Sequence, residues 1–129
     1  MATEPLDPSA QLWQAWASGR LCLQACRACG EIQHPPGQVC SHCHATDWDL
    51  VDINPVVTLV SWSTVHRAPA PHFADALPYT IVLVSVGPRA LLEARLDSRV
   101  PVESLVSGMP VRLAIDDVVG RAMPTVVAP

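Results

Sequence analysis

Four cysteines in two closely spaced pairs are the residues of this sequence best placed to do chemistry. Cys26 and Cys29 are separated by two residues, as are Cys40 and Cys43, and ten residues lie between the pairs. In each pair a tight turn directs both sulfurs toward one point, and the intervening loop brings the second turn back to face the first. Four thiolates in this arrangement are the ligand set of a structural zinc, or of iron in a rubredoxin-like site.

Other uses of these residues stay open at this point. Two disulfides are one alternative, although the chain has five cysteines and its first residues do not resemble an export signal. We therefore expect a cytoplasmic protein, in which paired cysteines hold metal more often than they form disulfides. His42 and His44 flank Cys43 and are alternative ligands. Cys22, the fifth cysteine, lies in an alternating apolar stretch, which predicts a buried and inert thiol.

Catalysis by the chain alone is not indicated. A zinc ion held by four thiolates has no open position for water or substrate, so such a site is structural. The chain has no lysine for a Schiff base, and no motif places a base beside Cys22. His66, His72 and Asp75 lie in or beside one loop, where a base-assisted site is conceivable, but histidines in surface loops are more often only solvated.

The net charge and the apolar content argue against one class of function, nucleic-acid binding, and in favour of another, association with a partner protein. The formal net charge is −4, and the basic side chains are eight scattered arginines with no lysine. Nucleic-acid binders usually concentrate positive charge on one face, so this pattern is a poor match. Half of the residues are apolar, which is a high share for a short chain and suggests that a partner covers part of the surface.

Several elements must position the cysteines. A helix is predicted over residues 8–18, with Asp7 as its cap and Gly19 as its C-terminal stop. Three apolar residues share one helix face, and they contact either the chain's own core or another protein: Leu12, Trp13 and Trp16. Short strands are predicted at 20–25 and 31–34, around the first cysteine pair.

Beyond residue 52 the pattern changes to alternating β-branched and apolar runs. Strands are predicted at 56–66, 78–86, 90–96, 111–115 and 121–127, with a short helical segment at 101–107. Three strands, a helix and two more strands are the order of a five-stranded OB-fold barrel. We therefore predict a mainly β chain with a short N-terminal helical segment (1–20), a rubredoxin-like zinc ribbon (21–51) and an OB-fold domain (52–129).

Several runs resemble one known family: ASGRLCLQACRACGEIQHPP, the second cysteine pair, STVHRAP, LPYTIVLVSVGPRALL and SGMPVRL. Together they are similar to the domain-of-unknown-function thirty-five family, in which a rubredoxin-like zinc ribbon precedes an OB-fold. The resemblance covers residues 12–129, and its most specific parts are the four cysteines and the segment 77–79. The sequence departs from the family pattern at His44 and Ala94, where glycine is usual, and it lacks the usual aromatic residue before the final proline.

The resemblance implies an accessory role. Family members are similar to partners of thiolase-fold enzymes, lipid-transfer-type aldolases and MaoC-like hydratases, where they contact or admit the CoA ester. The resemblance therefore implies that the chain is a non-catalytic, zinc-binding subunit. It also implies a hetero-oligomer with an acyl-CoA enzyme, which would be a thiolase-fold enzyme, an aldolase or a hydratase. The helix residues Leu12, Trp13 and Trp16 are the candidate partner interface.

A CoA contact would need arginine for the phosphates and a narrow, mostly apolar groove for the pantetheine arm. The loop between the first two barrel strands is a usual ligand-facing loop of an OB-fold. The candidate residues in and beside it are His66, Arg67, His72, Phe73 and Tyr79. Alternatively, Phe73 and Tyr79 cap the barrel core.

Two other functions remain open. A single-stranded nucleic-acid binder is compatible with a zinc ribbon and an OB-fold, but such proteins stack bases on aromatic side chains of the central strands. Here the second and third barrel strands offer Tyr79 and mainly aliphatic residues. A pure docking scaffold that binds no small ligand is the third possibility.

The charge pattern predicts that the isolated chain binds neither single- nor double-stranded nucleic acid at physiological salt. Phosphate contacts to clustered cations supply most non-specific affinity, and the sequence shows no such cluster. Titration of labelled oligonucleotides by fluorescence anisotropy checks this. Salt-dependent binding at micromolar concentrations would contradict it.

Overall fold

The computed structural model describes residues 7–67, 70–71 and 77–129. Within these ranges one α-helix and eight β-strands follow in the order α1 (Pro8–Ala17), β1 (Cys22–Cys26), β2 (Ile32–Gln33), β3 (Trp48–Asp52), β4 (Val56–Val65), β5 (Tyr79–Val86), β6 (Ala90–Leu96), β7 (Pro110–Val118) and β8 (Arg121–Ala128). A 3-10 turn at Val102–Ser104 separates β6 from β7. The mainly β prediction is confirmed. No helix in the described ranges is long and apolar enough to cross a membrane.

Local signals determine both ends of α1. The Asp7 side chain accepts a hydrogen bond from the Ser9 backbone N–H at 3.0 Å, and Pro8 occupies the first turn. The chain leaves the helix at Gly19, whose φ of +89° is one that glycine adopts without strain. The predicted helix is therefore confirmed to within one residue.

Two of the three predicted interface residues of α1 are turned toward the chain's own core. Leu12 and Trp16 are only 2% and 3% exposed, because they pack into the chain's own core. The indole N–H of Trp16 donates to the Cys22 carbonyl at 3.0 Å, which satisfies its polar atom inside the core. In the structure Leu12 and Trp16 thus belong to the chain's own core, which is one of the two alternatives that the sequence left open.

Trp13 differs from its two neighbours. It is 36% exposed, and its ring meets Trp16 edge-on with the centroids 5.0 Å apart. The guanidinium of Arg121, at the start of β8, lies 4.6 Å from the Trp13 ring centroid. Of the three predicted interface residues, Trp13 is the one that a partner can reach.

The first sheet is a three-stranded antiparallel ribbon in the order β2-β1-β3. Its third strand was not predicted, because acidic residues interrupt the apolar run. In the structure Asp49 and Asp52 pair with Arg27 and Arg20, which flank β1, at N–O distances of 2.7 and 2.6 Å. These pairs are solvent-exposed, so they contribute mainly to register. The strand ends at Asp52, the residue at which the OB-fold domain was predicted to begin.

The second sheet is a closed barrel in the order β4-β5-β6-β8-β7, and β7 also pairs with β4. Neighbouring strands are antiparallel except β6 and β8, which are parallel. This is the predicted five-stranded OB-fold. Alternate residues of β5 and β6 are buried because successive side chains of a strand point to opposite faces, and these residues are Thr80, Val82, Val84, Val86, Ala90, Leu92, Ala94 and Leu96.

One hydrophobic core joins the helix, the ribbon and the barrel. Trp16 of α1 and Cys22 and Leu23 of β1 belong to the same buried cluster as the inward-facing barrel residues. The predicted buried thiol of Cys22 is confirmed, with 0% exposure. An ion pair between Glu31 of the ribbon and Arg89 of the β5–β6 turn, at 3.6 Å, bridges the two sheets at the surface.

This packing predicts that Trp16→Ala lowers the free energy of unfolding by about 3–5 kcal/mol, because it removes a large buried side chain at the junction of three elements. Trp13→Ala is the matched control, and we expect a clearly smaller loss because part of its ring is already solvated. Urea titration of the zinc-loaded variants, followed by circular dichroism, measures both. Equal losses would contradict the assignment of Trp16 to the shared core.

Candidate metal centre

The four paired cysteines converge on one point. Their sulfur atoms lie within 4.8 Å of one another, with 3.5 Å between Cys26 and Cys43 and 3.7 Å between Cys29 and Cys40. A tetrahedral zinc with bonds of about 2.3 Å holds its sulfurs roughly 3.8 Å apart, so the spacing fits. All five cysteines are free, and these sulfur separations far exceed a disulfide bond of about 2.05 Å. The arrangement therefore favours metal binding over disulfides.

Matching backbone turns hold the two cysteine pairs. In each turn, the N–H four residues after the first cysteine donates to that cysteine's carbonyl at 2.9 Å. The first cysteine's own N–H donates to the carbonyl five residues further on, at 3.0 Å in the first turn and 2.8 Å in the second. The residue that closes each turn has a left-handed backbone, with φ of +78° at Gly30 and +66° at His44. Histidine is among the non-glycine residues that adopt this region more readily, so the departure at His44 leaves the turn intact.

The electrostatics of the cluster suit a cation. The backbone N–H of Cys43, and then that of His42, point at the Cys40 sulfur and lower the pKa of Cys40 to about 7. The N–H of Glu31 lowers the pKa of Cys29, but burial and the neighbouring thiols outweigh that effect and raise it to about 12. Four sulfurs this close cannot all ionise on their own. A divalent cation removes that repulsion and stabilises all four thiolates.

The histidines beside the site are not part of the cluster. His42 and His44 are both exposed, and the group of potential ligand atoms found in the described residues consists of the four cysteines. A complete tetrahedral set of protein thiolates leaves no coordination position for water or substrate. The geometry therefore supports a structural ion.

Two glutamines that the sequence did not mark position the loop that carries Cys40. Gln24 is 3% exposed; its side chain donates to the Gly37 carbonyl at 2.7 Å and accepts from the Gly37 N–H at 3.0 Å. Gln33 accepts from the Ser41 N–H at 2.7 Å. The signal in the sequence was an amide in the middle of a buried strand, because a buried polar side chain must be hydrogen-bonded.

The predicted CoA contacts that fall within the described residues lie at one end of the barrel. His66 and Arg67 are exposed and directly follow β4, and Tyr79 begins β5 and pairs with Val65 of β4. His72 and Phe73 lie outside the described residues. Tyr79 also rests against the guanidinium of Arg95 on β6, 3.9 Å from the ring centroid. Sequence reasoning missed Arg95, which lies 16 residues from Tyr79 and reaches it by the β5–β6 pairing.

We predict one zinc ion per chain, lost in Cys29→Ser. Apparent zinc binding energies of about 10–16 kcal/mol in small sites match the stability of a whole domain, so the ribbon should unfold without it. Cys22→Ala is the matched control, because it removes a buried thiol outside the cluster and should retain full zinc content. Elemental analysis of freshly purified protein measures both. Metal-free wild-type protein with paired disulfides would refute the assignment.

Comparison with known proteins identifies both domains. Residues 13–49 match the model of the ChsH2 rubredoxin-like zinc ribbon domain, and residues 51–116 match that of the ChsH2 C-terminal OB-fold domain. A solved chain titled "Ltp2-ChsH2(DUF35) aldolase" is 29% identical, with a TM-score of 0.75 over 95% of this chain and 96% of that one.

A curated relative from Thermomonospora curvata, a probable enoyl-CoA hydratase alpha subunit, is 35% identical over 78% of this chain. The chain spans 31% of the length of that relative. The family matches and the clustered cysteines agree on a structural zinc site, and the domain order agrees with the ribbon and barrel described above. The chain therefore belongs to the ChsH2 family (DUF35), with a rubredoxin-like zinc ribbon followed by an OB-fold.

Proposed function

We propose that this chain is a non-catalytic accessory component of an acyl-CoA enzyme, in which it binds or admits the acyl-CoA ester. The observation that carries the proposal is the structural match to the ChsH2(DUF35) aldolase chain, which extends over nearly the full length of both chains. The hydratase subunit from Thermomonospora curvata supports the same class of chemistry, because its name refers to a CoA ester.

The metal centre supports the non-catalytic part of this proposal. Its four thiolates fill the coordination sphere of a tetrahedral ion, so the metal has no position at which to bind a thioester carbonyl or activate water. Cys22 is fully buried, and burial raises the pKa of its thiol, which opposes a role as nucleophile. The reacting groups would then come from the partner enzyme.

The names of the relatives support a proposal for the class of the partner enzyme. Their names favour an aldolase or a hydratase, and a thiolase-fold enzyme remains the partner that the sequence resemblance implies. A cytoplasmic hetero-oligomer belongs to the same proposal. A pure docking scaffold would differ from this function in one respect, since it would support the enzyme without binding CoA.

Trp13 is the proposed docking anchor. It borders a groove of about 220 Å³ whose other walls include Pro35, Pro36, Glu93 and Met123. Half-exposed aromatic side chains beside such grooves are typical interface anchors, and burying one on association contributes about 2 kcal/mol or more. Arg121 already lies over the ring, so a partner would enclose a preformed cation–aromatic pair.

Co-expression with the product of the neighbouring gene tests the proposal. We expect a complex by gel filtration and a CoA-ester turnover that depends on this chain. A partner that is fully active alone and never co-elutes would refute the function.

Trp13→Ala should weaken the complex roughly 30-fold, the equivalent of about 2 kcal/mol. Trp62→Ala is the matched control, since Trp62 is also 36% exposed but lies on β4. If Trp13→Ala associates at wild-type strength, the helix is not the interface, although the accessory function can still stand.

A further inference from the structure

One barrel strand, β4, is unpaired along part of one edge. β4 pairs with β5 as far as Val65, whereas its pairing with β7 ends at Thr58. The loop after the 3-10 turn covers the next two residues, because it hydrogen-bonds to the backbone of Leu59 at 2.7 and 2.9 Å and to the Val60 carbonyl at 2.8 Å. Within the described ranges no strand pairs with that side of the rest of β4. Residues 61–65 thus form an open edge.

The open edge presents backbone groups that lack a protein partner. In an antiparallel strand, alternate residues direct both their N–H and their C=O to the same side. Leu59 directs both groups away from β5, and the β-bulge between Leu59 and Ser61 places one extra residue in the strand. Trp62 and Thr64 are therefore the residues whose N–H and C=O groups face the open side. A second extended strand could bond to all of these groups.

The other unpaired strand edges in the described part of the chain are protected against such pairing. Those of β3, β6 and β7 carry acidic residues, among them Asp49, Glu93 and Asp116. That of β8 carries Arg121 and Pro124, and β2 has only two residues. Charges, proline and short length are usual means by which proteins prevent edge-to-edge association. The open edge has none of them, since β4 reads VVTLVSWSTV.

The side chains of the open edge favour a second copy of this chain as the occupant. Trp62 is 36% exposed, and Val106, which adjoins the Ser107 that bonds to β4, is 63% exposed. The formal net charge of the chain is −4, so two copies associate most readily where neither presents a charge. An identical strand meets this condition, and it supplies matching N–H and C=O groups when it pairs in the antiparallel direction.

We propose that this chain forms a symmetric dimer in which the open edges of two copies pair as antiparallel strands. A two-fold axis at Ser63 places Trp62 opposite Thr64 of the second copy. The two N–H and two C=O groups that each copy offers then make four hydrogen bonds between the copies. Trp62 beside Thr64 is also an aromatic and β-branched pair, which is a favourable cross-strand combination. Such an interface is isologous and closes at two copies.

The mass of the zinc-loaded chain in solution tests the dimer. We expect sedimentation equilibrium to show a concentration-dependent shift from one chain to two. The affinity should not fall as the salt concentration rises, because the open edge contains no charge. A wild-type chain that is monomeric up to about 100 µM has a Kd in the millimolar range or weaker, and this result would overturn the proposal.

Ser63→Lys should weaken the dimer at least tenfold, because two like charges would face each other at the two-fold axis. Thr58→Lys is the matched control, since Thr58 is an exposed residue of the same strand but both of its sides are already paired, with β5 and with β7. It should dimerise as wild type. Circular dichroism and zinc content show whether each variant is folded. A folded Ser63→Lys variant that dimerises as tightly as wild type would overturn the proposal.

A cysteine at the two-fold axis tests the register. In the proposed dimer Ser63 and its copy form a non-hydrogen-bonded pair with Cα atoms about 4.5 Å apart, a distance that a disulfide can span. Zinc-loaded Ser63→Cys should therefore form a covalent dimer with oxidised glutathione, which is reduced to two thiols as the disulfide forms. Thr58→Cys should not. If Ser63→Cys shows no preference over Thr58→Cys, the proposed pairing is wrong.

Association with the enzyme separates this inference from the proposed function. The enzyme contact proposed at Trp13 lies on α1, so Trp13→Ala should still dimerise, and Ser63→Lys should still co-elute with the enzyme. If the wild-type chain dimerises but joins no enzyme, the accessory function fails and the dimer stands. If the chain alone is monomeric and Ser63→Lys loses the enzyme, the enzyme covers the open edge and the dimer proposal is overturned.

Discussion

Repulsion among four closely spaced sulfurs is the constraint on which the zinc ribbon depends. The ribbon has three short strands, one of them only two residues long, and too few buried side chains of its own to fold unaided. Its cysteine turns bring the sulfurs to within 4.8 Å, where a divalent cation turns mutual repulsion into four metal–thiolate bonds. The metal therefore replaces the core that the ribbon lacks.

The shared core couples the stability of the zinc ribbon to that of the helix and the barrel. Cys22 and Leu23 of β1 pack with Trp16 of α1 and with the barrel interior, so the ribbon cannot shift without disturbing both. Trp16 in turn supports the ring of Trp13 at the surface. The structural ion thus supports the orientation of the proposed docking anchor, and this is the contribution that a closed metal site would make to the proposed accessory function.

Much of the fold could be predicted because its signals are local. Cysteine spacing alone marks the metal site, since two short turns suffice to aim four sulfurs. Asp7 and Gly19 mark the helix ends, where unpaired backbone groups need a cap or a left-handed residue. Runs of β-branched and apolar residues predicted the five barrel strands, and their order with the short helical segment at 101–107 predicted the OB-fold that the closed barrel confirms.

Contacts between residues distant in sequence required the tertiary structure. Residues 48–52 contain too many acidic residues for the sequence to predict a strand there. The arginines that pair with these acids flank a different strand, so only the tertiary structure shows the pairing. Trp13 and Trp16 share one apolar stripe, and only packing showed that Trp16 is buried while Trp13 stays half-exposed. Arg95 looked like an ordinary charge in an aliphatic strand, but the pairing of β5 with β6 places its guanidinium against the ring of Tyr79. Sequence by itself determined the metal ligands and the barrel, whereas packing and strand pairing decided which side chains are left to bind a partner or a ligand.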